Sequence, residues 1–167
     1  YDADWRESTY KNYFWMVPYD LQGLIDSIGG KEAAEKRLDE MFRRLDASYG
    51  DEWFASGNEP SFQIPWIYNW AGAPYKAQQV IRRILNEQYS SRVNGLPGND
   101  DLGSMGAWYV FASIGLFPEI PGVGGFSVNS PVFRKIVLHL PEGDVIIKGG
   151  DEKKEYIHSL SLDGKKM

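Results

Sequence analysis

Three short stretches gather oxygen-bearing side chains among residues that shape backbone. The first runs from Glu7 to Asp20 (ESTYKNYFWMVPYD). The second is Gly57-Asn58-Glu59-Pro60, and the third runs from Gly95 through Gly98-Asn99-Asp100-Asp101 to Gly103. Glycine and proline impose loop shape, aromatic neighbours shield carboxylates from water, and functional side chains gather on loops held by a rigid scaffold. The chemistry this suggests is hydrolysis by two carboxyl groups. One acts as a general acid with a raised pKa and the other as a base that activates water. Asn and Asp oxygens in tight loops also suit a hard cation such as Ca²⁺. Each stretch has a plainer reading as well. Asp100-Asp101 before a helix is most simply an N-cap with charge at the positive end of the dipole. Glu59-Pro60 reads as a turn, and Glu7 as a solvated side chain.

The elements that must position these loops divide near residue 118. Before it the pattern is mostly helical. Residues 31–46 place Ala34, Leu38, Met41, Phe42 and Leu45 on one face. Gly29-Gly30 separates this helix from a segment around Tyr13–Ile28 that Pro18 kinks or breaks. Residues 75–90 carry a stripe of Ala77, Val80, Ile81, Ile84 and Leu85, with Arg82, Arg83 and Glu87 expected outward and Pro74 at the helix start. Residues 102–116 are apolar almost all round, which predicts burial on most sides. After Phe117, prolines and glycines mark a loop. Alternating runs then follow at 126–128, 135–140, 144–148 and 156–162, a small antiparallel β segment. Leu160–Lys165 reads as a strand entering a turn without a returning strand, and Tyr1 is not an initiator Met. Both features give the chain the look of an excised piece.

Composition narrows the function classes. With 167 residues and 43% apolar content the chain is globular. A net charge of −5 argues against nucleic acid, whose phosphates need a basic face. No apolar run approaches the roughly 20 residues that cross a bilayer. The absence of cysteine excludes disulfides, thiolate zinc sites and a Cys nucleophile, and it assigns no compartment. His139 and His158 lie in or near alternating strands and read as ordinary sheet residues, and Asp151–Glu155 reads as a solvated turn. Aromatics reach 14%, with six Trp and ten Tyr. Tyr and Trp suit core packing first and stacking on sugars second.

Taken together and in order, the motifs resemble glycoside hydrolase family 92, the calcium-dependent α-mannosidases. The resemblance rests on Glu7, Tyr13-Phe-Trp15-Met-Val-Pro18-Tyr-Asp20, Gly23-Leu-Ile25, Gly29-Gly30 and Gly57-Asn-Glu-Pro60. It continues through Gly72-Ala-Pro74 with Gln78, Gly95-Leu-Pro-Gly-Asn-Asp-Asp101, Ala107-Trp-Tyr-Val-Phe111, Leu116-Phe-Pro118 and Pro121-Gly122. It covers nearly the whole chain. It implies a mainly α fold with a small β segment. Residues 1–117 would be part of an (α/α)6 helical toroid and 118–167 a loop with short antiparallel strands. The family's N-terminal β-sandwich and the first part of its barrel are expected to be absent.

By this resemblance Glu7 matches the general acid and Asp101 the general base, with Asp100 and Asn99 helping to hold water or metal. Asn58 and Glu59 match a segment near the sugar and the calcium, so Asn58, Glu59 and Asn99 are the expected metal ligands. Trp15 and Trp66 join Asn58 and Glu59 as expected substrate-binding residues. The implied activity is inverting exo-hydrolysis of terminal α-linked mannose, α-1,2 by preference, from a glycan outside the cell, on its surface or in a periplasm. The implied partner is the missing N-terminal domain of the same parent chain. Ser8-Thr9 stand where the family usually has Gly-Asn, Asn12 where it has Gln, and Gln63 where it often has His; the carboxylates stay in place. Two alternatives share parts of the pattern. One is a non-catalytic structural or carbohydrate-contacting piece that is inactive alone. The other is a helical-toroid lyase or a different helical glycosidase, which does not explain Gly-Asn-Glu-Pro and Gly-Asn-Asp-Asp together.

Overall fold

The computed structural model describes residues 4–167. Five α-helices come first: α1 (Tyr10–Tyr13), α2 (Leu21–Ser27), α3 (Lys31–Met41), α4 (Pro74–Glu87) and α5 (Ser104–Ile114). Three antiparallel hairpins follow: β1 (Leu116–Phe117) with β2 (Ser127–Val128), β3 (Lys135–Leu140) with β4 (Gly143–Lys148), and β5 (Ser161–Leu162) with β6 (Lys165–Lys166). The chain is mostly helical with a few short antiparallel strands, as expected. From 42 to 73 the helical half holds no α-helix. Two 3-10 turns, Glu59–Ser61 and Ile64–Asn69, carry that stretch instead, each with proline in its first turn. Pro18 opens a 3-10 turn, Pro18–Asp20, and Asp20 then caps α2, its Oδ1 accepting from the Gly23 amide at 3.0 Å. Asp20 therefore builds the scaffold.

The core follows the two amphipathic stripes. Ala34, Leu38 and Met41 of α3 and Ala77, Val80, Ile81, Ile84 and Leu85 of α4 are all buried. The turn at 64–69 lies against both helices. Tyr68 donates to Asp39 Oδ1 at 2.9 Å, and Lys76 bridges Asp39 and Glu35 at 2.6 and 2.7 Å, pinning α3 to the start of α4.

Arg82 differs from expectation. It is buried, and its guanidinium donates to the carbonyls of Ser130, Pro131, Glu152 and Lys154 at 3.1–3.4 Å. Its neighbour on α4, Gln78, accepts from the Ile157 amide at 2.7 Å. The fork of five donors suits a cluster of carbonyls that a helix stripe cannot announce. One face of α4 thus anchors the C-terminal segment, so the backbone of Asp151–Glu155 is held, and Asp151 itself pairs with Arg134 at 2.9 Å.

Helix α5 is buried on one side and open on the other. It buries Met105, Trp108, Ala112 and Ser113, while Tyr109 and Val110 are 41% and 55% exposed. The described chain covers one side of it. The β half is three separate hairpins rather than one segment. The run at 156–162 pairs only at Ser161–Leu162, and Asp163-Gly164, both left-handed, turn it back into β6. The returning strand is therefore present, built on an Asp-Gly turn of the kind that two-residue hairpins favour. His139 of β3 pairs across the hairpin with Asp144 at 2.8 Å, an ordinary sheet contact.

Glu119, just after β1, is 4% exposed, and neither carboxylate oxygen has a hydrogen-bond partner among the described residues. Burial pushes its pKa up to about 9. In the unfolded chain it ionises in the ordinary carboxylate range, so between that range and about 9 the unfolded state loses a proton that the folded state keeps. The stability linked to Glu119 is complete below the ordinary carboxylate pKa and is lost as pH rises toward 9. Glu119→Gln, which cannot ionise, should flatten this slope: its Tm should exceed the wild type's by several degrees at pH 8, with the gap closing near pH 4. Thermal melts across pH check it.

Candidate active site

The three polar stretches meet. Asn58 donates its side-chain amide to the backbone carbonyl of Glu7. Asn12 donates to the Trp53 carbonyl at 3.2 Å and accepts from Ser61 at 2.9 Å, so the first stretch is stitched to the second on both sides of Gly57–Pro60. The second and third stretches touch backbone to backbone. A Cβ on Gly57 would lie 2.5 Å from the Pro97 carbonyl oxygen, and one on Gly98 would lie 2.3 Å from that of Gly57. Only glycine permits this approach. Ser104, first residue of α5, lies 2.6 Å from Glu59 Oε1 and closes the set.

The two expected catalytic carboxylates sit on left-handed backbone. Glu7 has φ 64° and Asp101 φ 42°, followed by Leu102 at 61° and Gly103 at 90°. For a residue with a Cβ this conformation costs on the order of 1–2 kcal/mol, and it clusters where function over-determines the backbone. Glu7, Asn99, Asp100 and Asp101 are exposed, Glu59 is half-buried and Asn58 is buried. Exposed carboxylates thus stand on separate loops that glycine contacts and amide hydrogen bonds join.

All of residues 1–167 match the model of the glycosyl hydrolase family 92 catalytic domain. The chain belongs to glycosyl hydrolase family 92. It is similar to a family 92 α-mannosidase of Bacteroides thetaiotaomicron whose structure is solved (32% identity, TM-score 0.84, 99% of this chain and 24% of that one). It is likewise similar to a family 92 inverting mannosidase of the same organism (31% identity, TM-score 0.85, 100% of this chain and 26% of that one). An uncharacterized secreted glycosidase of Arthroderma benhamiae is 31% identical over 169 residues, 95% of this chain and 21% of that protein. The chain therefore spans about a quarter of the solved relatives' length and about a fifth of the fungal one's.

Within the family 92 frame, the expected site residues divide. Glu7, Asn58, Glu59, Asn99, Asp100 and Asp101 lie on the three joined stretches. Asp100 also does the structural work of the plainer reading. Its Oδ1 accepts from the Gly106 amide at 3.0 Å and its carbonyl from the Ser104 amide at 2.7 Å, capping α5. Its charge, after burial, helps push the Tyr89 phenol up. Trp15 and Trp66 are corrections. They are 1% and 0% exposed and belong to the core, so neither offers a face to a sugar. Trp66 stacks on Phe117 with ring centres 4.0 Å apart, and its Nε1 donates to Asn129 at 3.2 Å. The aromatic pair nearest Glu7 in the chain is instead Trp5, which is exposed, and Tyr13, which is half-buried; they stack at 5.2 Å, with the Tyr13 hydroxyl donating to the Arg6 carbonyl at 2.6 Å. Its signal in the sequence was only the nearness of Trp5 to Glu7. Ser104 carried no sequence signal beyond standing where a helix begins.

Among the described residues no three Asp, Glu or His side chains converge to hold a metal ion. Calcium takes about six to eight oxygens. Asn58 commits its amide nitrogen to Glu7, Glu59 commits one oxygen to Ser104, and Asn99 lies on the neighbouring loop. These three side chains by themselves do not complete a calcium cage.

The Gly57–Gly98 contact tests whether the loops depend on each other. Gly98→Ala puts a methyl against a backbone oxygen that no rotamer change can move, so the loops must part. Its Tm should fall by several degrees, an overpacking cost of about 1–3 kcal/mol. Gly124→Ala, with nothing within 4 Å, should leave the Tm within a degree or so, and paired thermal melts compare the two.

Proposed function

We propose that the polypeptide carrying this chain is an exo-α-mannosidase that removes terminal α-linked mannose from glycans with inversion, with a preference for α-1,2 linkages. The observation that supports the reading is that the stretches carrying Glu7, Asn58-Glu59 and Asn99–Asp101 are joined to one another by the Asn58 amide, the Gly57–Gly98 approach and the Ser104–Glu59 contact. The similarity to α-mannosidases, one of them named inverting, supports the substrate and the stereochemistry. The pairing of α2 with α3 and of α4 with α5 is compatible with part of an (α/α)6 toroid. The likeness to a glycosidase named secreted supports action outside the cell, on its surface or in a periplasm.

In this reading Glu7 donates a proton to the leaving glycosidic oxygen. Asp101, on its exposed left-handed turn, takes a proton from the water that attacks the opposite face of the sugar. An inverting pair needs room for that water, so the carboxyls should stand about 6.5–9.5 Å apart in the working enzyme. Asn58 fixes the backbone of Glu7, Asp100 fixes the start of α5 just beyond Asp101, and Glu59 is placed to accept from a sugar hydroxyl. Calcium, when bound, supplies a hard positive charge for sugar hydroxyls. Asn58, Glu59 and Asn99 would furnish only part of its shell, and the rest would come from the substrate, water or other parts of the polypeptide.

The 167-residue chain by itself should be inactive. Its carboxylates stand on an open surface, and positioned catalysis needs groups on both sides of the substrate. In the full-length polypeptide, Glu7→Gln and Asp101→Asn should each lower kcat on an aryl α-mannoside by roughly 10²–10⁴-fold. EDTA should suppress turnover and added calcium restore it. NMR of the first-formed product should show β-mannose; α-mannose would overturn the assignment of Asp101 as base. Turnover by the isolated chain matching the full-length protein would show that no other segment completes the site.

A further inference from the structure

We infer that Ser104 is a positioning residue of this site: its hydroxyl holds the Glu59 carboxylate to the first turn of α5 and so fixes the Asn58-Glu59 loop relative to the turn that carries Asp101. The inference rests on the functional reading above. Ser104 Oγ lies 2.6 Å from Glu59 Oε1 and 2.8 Å from the Asp100 carbonyl oxygen. A hydroxyl has one proton for these two acceptors. The Asp100 carbonyl already accepts from the Ser104 amide at 2.7 Å, whereas the Glu59 side chain has no other hydrogen-bond or ion-pair partner among the described residues. A charged acceptor at this distance also makes the stronger bond. The proton therefore belongs to Glu59.

The location makes this bond matter. Ser104 directly follows Asp101, Leu102 and Gly103, three consecutive left-handed residues. Such a turn persists only while its surroundings hold it. Backward, Asp100 ties the turn to the helix through the Gly106 amide. Toward the Asn58-Glu59 loop, the described side-chain hydrogen bond from the residues following this turn is the one from Ser104. Without it Glu59 is free to rotate into water, and the loop keeps only the Trp108 indole on the Phe62 carbonyl as its side-chain hydrogen bond to α5.

The test is a double-mutant cycle in the full-length polypeptide, read on an aryl α-mannoside with Tm alongside. Ser104→Ala should lower kcat/KM about tenfold, the size expected for a bond to a charged group, with Tm nearly unchanged. Ser104→Thr, which keeps the hydroxyl, should stay within about twofold of wild type. In a Glu59→Ala background, Ser104→Ala should cost less than about twofold, because its partner is gone. An unchanged kcat/KM in Ser104→Ala, failure of Thr to restore it, or the same loss in both backgrounds would each overturn the tether. Hydrogen exchange across residues 57–62 is an independent reading: Ser104→Ala should speed it and Thr should not. If the wild-type polypeptide releases no mannose, the functional reading fails by itself, and exchange still decides whether the tether exists.

Discussion

Trp66 is the side chain on which the rest of the molecule closes. It stacks flat on Phe117 at 4.0 Å, meets Trp108 edge-on at 5.6 Å and donates its indole N–H to Asn129 at 3.2 Å. Asn129 in turn donates to the Ala112 carbonyl at 3.0 Å, and its amide reaches Gly115. One buried indole thus fixes the 64–69 turn, the axis of α5, the first hairpin and the segment leading to β3. An indole with its N–H unpaired is expensive to bury, so Asn129 is as necessary as the ring. Trp108 adds a second tie through its own N–H to the Phe62 carbonyl at 3.0 Å, one turn from Glu59. The start of α5 and the Glu59 loop are therefore held by the core below before any polar contact of the site forms above.

On that floor the site is a balance between strain and restraint. The turn carrying Asp101 takes a conformation that residues with a Cβ resist, and so does Glu7. The restraints are short and local: the glycine-to-glycine approach of the two loops, the Asp100 cap, the Asn58 amide on the Glu7 carbonyl and the Ser104 hydroxyl on Glu59. Each joins residues far apart in the chain or on opposite sides of the turn. A left-handed carboxylate is turned away from the path an ordinary helix start would give it. This is how Asp101 stays exposed while its neighbour Asp100 is spent on capping.

What could be read in the sequence was what periodicity and punctuation encode. The stripes of α3 and α4, the proline starts, the β3 and β4 runs and the change of texture after Phe117 all appear where the apolar spacing puts them. The three polar stretches could be identified because glycine and proline surround them. What failed was inference from residue type to exposure. Trp15 and Trp66 look like sugar-stacking residues and are core. Arg82 looks like a solvated helix residue and is a buried clamp on four carbonyls. Exposure is a property of the partners that reach a residue, and those partners lie far away in sequence: Asn129 for Trp66, Ser130 and Lys154 for Arg82. The hairpin at Asp163-Gly164 was missed for a simpler reason, since two-residue strands are too short to show alternation.

The chain itself contains the contrast that a hydrolytic reading needs. A carboxyl becomes a general acid near neutral pH when it is taken out of water, because burial disfavours the charged form. Glu119 shows the effect at full strength: it is buried, unpaired, pushed up to about 9 and set apart from the three stretches. Glu7 is on the site and stands in solvent. Two residues before it, Trp5 stacks on Tyr13, whose hydroxyl holds the Arg6 carbonyl. If Glu7 is the acid, the apolar cover that prepares it has to arrive from beyond these residues, from the bound sugar or from the greater part of the architecture that the solved relatives possess. A base, by contrast, has to reach water, and Asp101 stands exposed on its turn. In the proposed pair one carboxylate needs a lid and the other an opening, and both stand exposed on the loops of this chain.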